Sequence, residues 1–188
     1  VGLDECARSV VEDIDAAGFD EVILVGHSLA GCSMPRMVEL LGARVRRAVF
    51  LACTVPADGM SAFDTLDPEI QAMIRDAPEV IEPRPMDPTM AAIVLGNDLN
   101  AEAIAWCVER LVPEAPRLTE EPVNLAALRD GVACTWIRTL QDLIVAPDKQ
   151  LRFARNVGEC PVIDLDAGHM AMVAKPKVLA ALLNTLAS

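Results

Sequence analysis

The sequence predicts an α/β fold, a parallel sheet flanked by helices and interrupted by a helical cap insertion. Three observations predict it. Two short apolar runs, "EVILV" and "RRAVFLAC", bracket a helix-like stretch, so strand, helix and strand follow within about thirty residues, as in a βαβ unit. Nine of the thirteen prolines then fall within 56–122, where no buried-strand pattern occurs. Beyond that segment the alternation of strand and helix resumes and continues to the last residues. Residues 1–55 and 123–188 are therefore read as the core of the fold, and 56–122 as the cap.

Each element has a local reason. Leu3, Ala7, Val10, Val11, Ile14 and Ala17 recur at helical spacing with acids between them, and Gly18 follows as a stop. "EVILV" is almost wholly apolar, the pattern of a strand buried on both faces of a parallel sheet. A helix continues over 34–41 until Gly42, and "RRAVFLAC" is the second buried strand. Within the insertion, Asp67-Pro68 and Asp87-Pro88 each read as an N-cap followed by proline at the first helical position, and Asn100 precedes a helix over 101–111. Trp106, Met60, Met73, Met86 and Met90 are read as core of the insertion, with lining a substrate pocket as the alternative for some of them. "VACTWIRTL" at 132–140 is the next strand, a helix opens at Pro147, "CPVIDLD" at 160–166 is the last strand, and "KPKVLAALLNTLA" the closing helix.

Composition excludes several classes of function. The net charge of −12 opposes nucleic-acid binding, which rests on cationic neutralisation of phosphates. Two Trp, four Phe and no Tyr leave little for base stacking. No apolar run approaches the roughly 18 to 20 residues that cross a bilayer, so no membrane partner is expected. The six cysteines (Cys6, Cys32, Cys53, Cys107, Cys134, Cys160) are scattered without a C-x-x-C, and read as reduced thiols of a cytoplasmic protein. With two histidines and no ligand-spaced cluster, no metal site is expected. The opening "VGLDECARSV" is acidic and amphipathic, unlike a secretory signal.

The chemistry concentrates at "VGHSLAGCSM". Ser28 stands between small residues (Gly26 and Ala30) where a strand turns into a helix, the way a nucleophilic serine is presented above a sheet. A serine hydroxyl needs a base to take its proton and a carboxylate to orient that base. His27 lies inside the turn and is expected to point away from Ser28, which leaves His169, after the last strand, as the base. Asp142, heading a separate loop after the preceding strand, is the preferred acid over Asp164 and Asp166. The order serine, acid, histidine, each after a strand, is the order of such sites. Cys32 and Cys53 lie near this turn, but no base remains for either, and packing is the reading for both.

"VILVGHSLAG" and "DAGHMAMVAKPKVLAALL" resemble the matching segments of the methylesterase and hydroxynitrile lyase family of α/β-hydrolases, and "WIRTLQDLIVAP" resembles bacterial members. The similarity runs from about residue 10 to the C-terminus. It implies the α/β-hydrolase fold, a triad of Ser28, Asp142 and His169, an oxyanion-hole amide from Leu29, and no cofactor. Its lyase branch carries a lysine after the histidine, where this chain has Met170. Met170 is therefore read as a substrate-binding residue of an esterase acting on small, largely apolar carboxylic esters. A hydroxynitrile lyase-like enzyme, and an inactive fragment that binds a small ligand, are the alternatives.

The family has about sixty residues before the point where this chain opens, and the chain lacks an initial Met. The resemblance thus implies an N-terminally truncated sheet, with the strand through Ile23 at an edge. A buried strand left as an edge invites pairing with another chain, so self-association into homo-oligomers is expected.

Overall fold

The computed structural model describes residues 1–76, 87–129 and 131–187. Helix α1 (Leu3–Ala16) is held at its start by the Glu5 carboxylate, which accepts from the Gly2 amide at 2.8 Å. It packs against α2 (Ala30–Leu41), with Arg36 of α2 bonded to Asp4 of α1 at 2.6 Å. Between them lies strand β1 (Val22–His27), followed after α2 by β2 (Val45–Leu51). Between β2 and β3 come α3 (Pro68–Asp76), α4 (Pro88–Leu95), α5 (Ala101–Val108) and α6 (Arg117–Glu120), and the short α7 (Ala126–Arg129) leads back to the sheet. Strand β3 (Ala133–Thr139), α8 (Pro147–Val157), β4 (Val162–Leu165), α9 (Ala171–Ala174) and α10 (Pro176–Ala187) complete the chain.

The sheet order is β1-β2-β3-β4 with every pairing parallel, so successive strands lie side by side and each connection crosses over. Period-two alternation divides the core in two. Ala48 and Phe50 of β2 join Leu24, Met34, Trp136 and Phe153 on one face, where Phe50 and Trp136, paired in register, stack at 5.6 Å. Val49 and Leu51 point to the other face, against Ile137, Leu165 and Leu179 of α10. All four strands run in the same direction, so their C-terminal ends lie along one rim. That rim carries the candidate site.

Two expectations are corrected. "EVILV" reads as buried on both faces, yet Val25 is 47% exposed, its face of β1 left partly uncovered, and β1 has only β2 as a neighbour among the described residues. Met60, Met73, Met90 and Trp106, read as core, are all exposed, and Trp106 instead carries the Arg110 guanidinium over its ring at 4.2 Å. The helices that carry Met73 and Trp106 cover little: α3 buries no side chain and α5 only Cys107. Helical spacing identifies an apolar face without saying that anything covers it. Met86 lies outside the described residues. Two of the three caps read from sequence form with side-chain bonds: Asp87 accepts from the amides of Thr89 and Met90, and Asn100 from that of Ala103. Among the described residues no helix is long and apolar enough to cross a membrane.

Candidate active site

The turn between β1 and α2 holds Ser28 at φ +56°, a left-handed conformation that a side-chain-bearing residue adopts only where its surroundings enforce it. The enforcement is visible. The Ser28 amide donates to the Leu51 carbonyl at 3.2 Å, and the Ser28 carbonyl accepts from Thr54 at 2.9 Å and from Gly31 at 3.1 Å. Close packing demands glycine on both sides. A Cβ on Gly26 would lie 2.1 Å from the Met34 sulfur, and one on Gly31 would lie 2.6 Å from the Thr54 carbonyl oxygen. The serine is thereby lifted above the sheet at the start of α2, whose first amides have no intrahelical acceptor. Leu29 occupies the N-cap of that helix.

His169 sits in the loop after β4 and is 2% exposed. Its Nε2 lies 2.9 Å from Ser28 Oγ and its Nδ1 lies 2.7 Å from Asp142 Oδ2. An ionised carboxylate only accepts, so the imidazole proton sits on Nδ1 and the Nε2 lone pair faces the serine hydroxyl. Asp142 is almost wholly buried. Burial opposes its charge, but the His169 ring and the Val145 and Ile144 amides outweigh it and hold the carboxyl below the ordinary carboxylate range. Each of those amides donates to Asp142 Oδ1 at 2.8 Å. The rival acids are engaged elsewhere: Asp164 is bidentate to Arg138 at 2.7 Å, and Asp166 accepts from Gln141 at 2.6 Å. Met170, half-buried, directly follows His169 at the head of α9.

Behind Asp142 lies a buried network that sequence reading missed. Gln150 is fully buried on α8. Its Nε2 donates to the Val145 carbonyl at 2.7 Å and to Thr139 Oγ1 at 2.9 Å, while its Oε1 accepts from the Thr139 amide at 3.1 Å. Thr139 Oγ1 in turn donates to Asp142 Oδ2 at 2.9 Å. A signal existed: Gln150 is the polar member of the buried stripe Gln150, Phe153, Ala154 and Val157. Gln150→Leu strands several buried polar groups at about 1–3 kcal/mol each. Urea denaturation is expected to show a loss of at least about 2 kcal/mol.

The contacts of His27 were also missed. Its ring packs 4.6 Å from the His169 ring, and its Nε2–H donates to the His169 carbonyl at 2.9 Å. Burial and the neighbouring His169 lower its pKa from 6.5 to about 4, so it is neutral near pH 7. Between those two values the unfolded chain binds a proton that the folded one does not, so stability falls as pH falls. The shift corresponds to about 3 kcal/mol in total. His27→Gln is expected to flatten that acid-side decline when urea midpoints are compared from neutral pH down to about pH 4.5.

The thiols beside the turn are held protonated. Burial pushes Cys32 up to about 12, and burial together with Cys32 pushes Cys53 higher still. All six cysteines are free, and among the described residues no group of three or more His, Cys, Asp or Glu side chains is placed to hold a metal ion.

A family model described as the alpha/beta hydrolase family matches residues 2–182. "Putative methylesterase 14, chloroplastic" of Arabidopsis thaliana is 26% identical over 202 residues, covering 98% of this chain and 58% of that protein. The chain thus spans less than two thirds of that relative's length. A "Carbendazim hydrolyzing esterase" of Nocardioides sp. (strain SG-4G) is 27% identical over 197 residues, covering 99% and 79% of the two chains. Among solved structures, an extracellular α/β-hydrolase from a Paenibacillus species superimposes with a TM-score of 0.85 at 20% identity, covering 98% of this chain and 79% of that one. At that identity the likeness is one of fold.

Proposed function

The chain belongs to the alpha/beta hydrolase family, and on that premise we propose that it is a serine hydrolase of small, largely apolar carboxylic esters. The observation that carries the proposal is the continuous hydrogen-bonded line from Ser28 Oγ through His169 to the buried Asp142 carboxylate. Methylesterases and esterases among its relatives support the same reading.

Chemistry follows from the line. Ser28 Oγ attacks the ester carbonyl as His169 Nε2 takes its proton, and Asp142 stabilises the imidazolium that forms. The Leu29 amide, at the head of α2, donates to the developing oxyanion. Collapse expels the alcohol, which leaves with the proton from His169, and an acyl group remains on Ser28. Water, activated by the same imidazole, then releases the acid. Leu29 and Met170, which directly follow Ser28 and His169, are apolar and half-buried, and they suit an aliphatic substrate. Met170 has no charge with which to stabilise cyanide. No cofactor enters these steps.

A fluorophosphonate probe tests the proposal. Stoichiometric labelling at Ser28, with hydrolysis of p-nitrophenyl acetate, is expected. Labelling at another residue, or none in a folded protein, would overturn it.

A further inference from the structure

His169 must hold its ring between two partners although it sits in a loop. One anchor is His27, which donates to the carbonyl of His169 itself. A second anchor comes from the insertion. The amide of Gly168, the residue immediately before His169, donates to Asp98 Oδ2 at 2.6 Å. The adjacent Asn97 donates through Nδ2 to the Gln141 carbonyl at 2.8 Å, on the loop that carries Asp142. Gln141 is itself tied to the His169 loop, its amide donating to the Ala167 carbonyl at 3.0 Å and its side chain to Asp166. Two consecutive insertion residues therefore touch both loops of the site.

The approach is tight. A Cβ on Gly168 would lie 2.5 Å from Asp98 Oδ1 and 2.8 Å from Asn97 Oδ1. That Asp98 Oδ1 is buried and has no hydrogen-bond partner among the described residues. A half-satisfied carboxylate costs folding energy, so fold stability alone gives no reason for one here. What the carboxylate supplies is a short charge-assisted bond to the peptide that sets the direction of His169.

We infer that Asn97 and Asp98 form a strap from the insertion across both loops, and that Asp98 is a positioning residue for His169. The inference rests on reading Ser28, His169 and Asp142 as the hydrolytic centre. Losing the strap frees the Ala167–Gly168 peptide that leads into His169, and a displacement of about 1 Å at such a site can cost on the order of 10²-fold in rate.

The test combines one readout that needs no chemistry with one that does. In Asp98→Ala, the Gly168 amide is expected to exchange with solvent deuterium faster than in the parent. Its rates of fluorophosphonate labelling and of p-nitrophenyl acetate turnover are expected to fall about 10- to 100-fold, with KM changed less than about threefold. Asp98→Asn keeps an acceptor for the Gly168 amide and should restore both readouts to within about threefold. If Asp98→Ala fails to fold, Gly168→Ala takes its place, because its Cβ forces the carboxylate aside. Unchanged Gly168 exchange, or an unchanged kcat in a labelled enzyme, would overturn the strap. Faster exchange with no labelling even of the parent would overturn the hydrolase reading and leave the contact standing.

Discussion

Replacing Ser28 with alanine is expected to abolish ester turnover, by at least about 10⁴-fold, while leaving the fold in place. Chemistry depends on one oxygen. Without Oγ there is no atom to form the acyl bond, and the remaining imidazole can only assist water. Stability depends on the backbone around the residue, and that is unaltered. The amide and carbonyl of position 28 keep their bonds to Leu51, Thr54 and Gly31. The substitution removes the hydroxyl bond to His169 at 2.9 Å, a contribution of about 1 kcal/mol and thus roughly 2–4 °C in melting temperature. A companion variant separates strain from chemistry. Because φ is +56° at this position, Ser28→Gly should be equally inactive yet more stable than Ser28→Ala by about 1 kcal/mol. Calorimetry of the two variants reads the strain, and stopped-flow acylation reads the chemistry. Acyl-enzyme formed by Ser28→Ala would end the assignment of the nucleophile.

His169→Gln and Asp142→Asn should each lower kcat by orders of magnitude, His169→Gln by at least about 10⁴-fold and Asp142→Asn somewhat less. The asparagine case can be followed atom by atom. Its Oδ1 can still accept from the Ile144 and Val145 amides, so the loop keeps its shape. Its Nδ2 then faces His169 Nδ1 in place of the carboxylate oxygen 2.7 Å away. A donor there removes the proton from Nδ1 and places it on Nε2, where the ring can no longer accept from Ser28. The tautomer is wrong although the geometry is right. Members of one catalytic triad act as a unit, so the double variant should cost little beyond His169→Gln alone. Losses in kcat that multiply would place one of the two residues outside the triad.

Much of this was legible along the chain because it is local. The apolar runs that become β1, β2 and β3, the caps at Asp87 and Asn100, and the glycine–serine turn all follow from residues within a few positions of one another. The order of Ser28, Asp142 and His169 was legible for the same reason, each following a readable strand. Even the preference for Asp142 over Asp166 needed only the observation that Asp142 heads a loop of its own.

What the sequence by itself determined, then, is the parallel α/β architecture and the identity of three side chains at strand ends. What only the tertiary structure decided is how those three are held. Gln150 behind Asp142, His27 beneath the His169 carbonyl, and Asp98 on the Gly168 amide act across 8, 142 and 70 residues of chain. Exposure of Val25 and of Met60, Met73, Met90 and Trp106 was decided there too. The physical reason is common to His27, Asp98 and the exposed side chains. Helix and strand formation reflect periodicity and backbone preference, which a short window contains. Burial and hydrogen-bond pairing depend on which distant segment arrives to cover or complete a group, and no local pattern encodes that arrival.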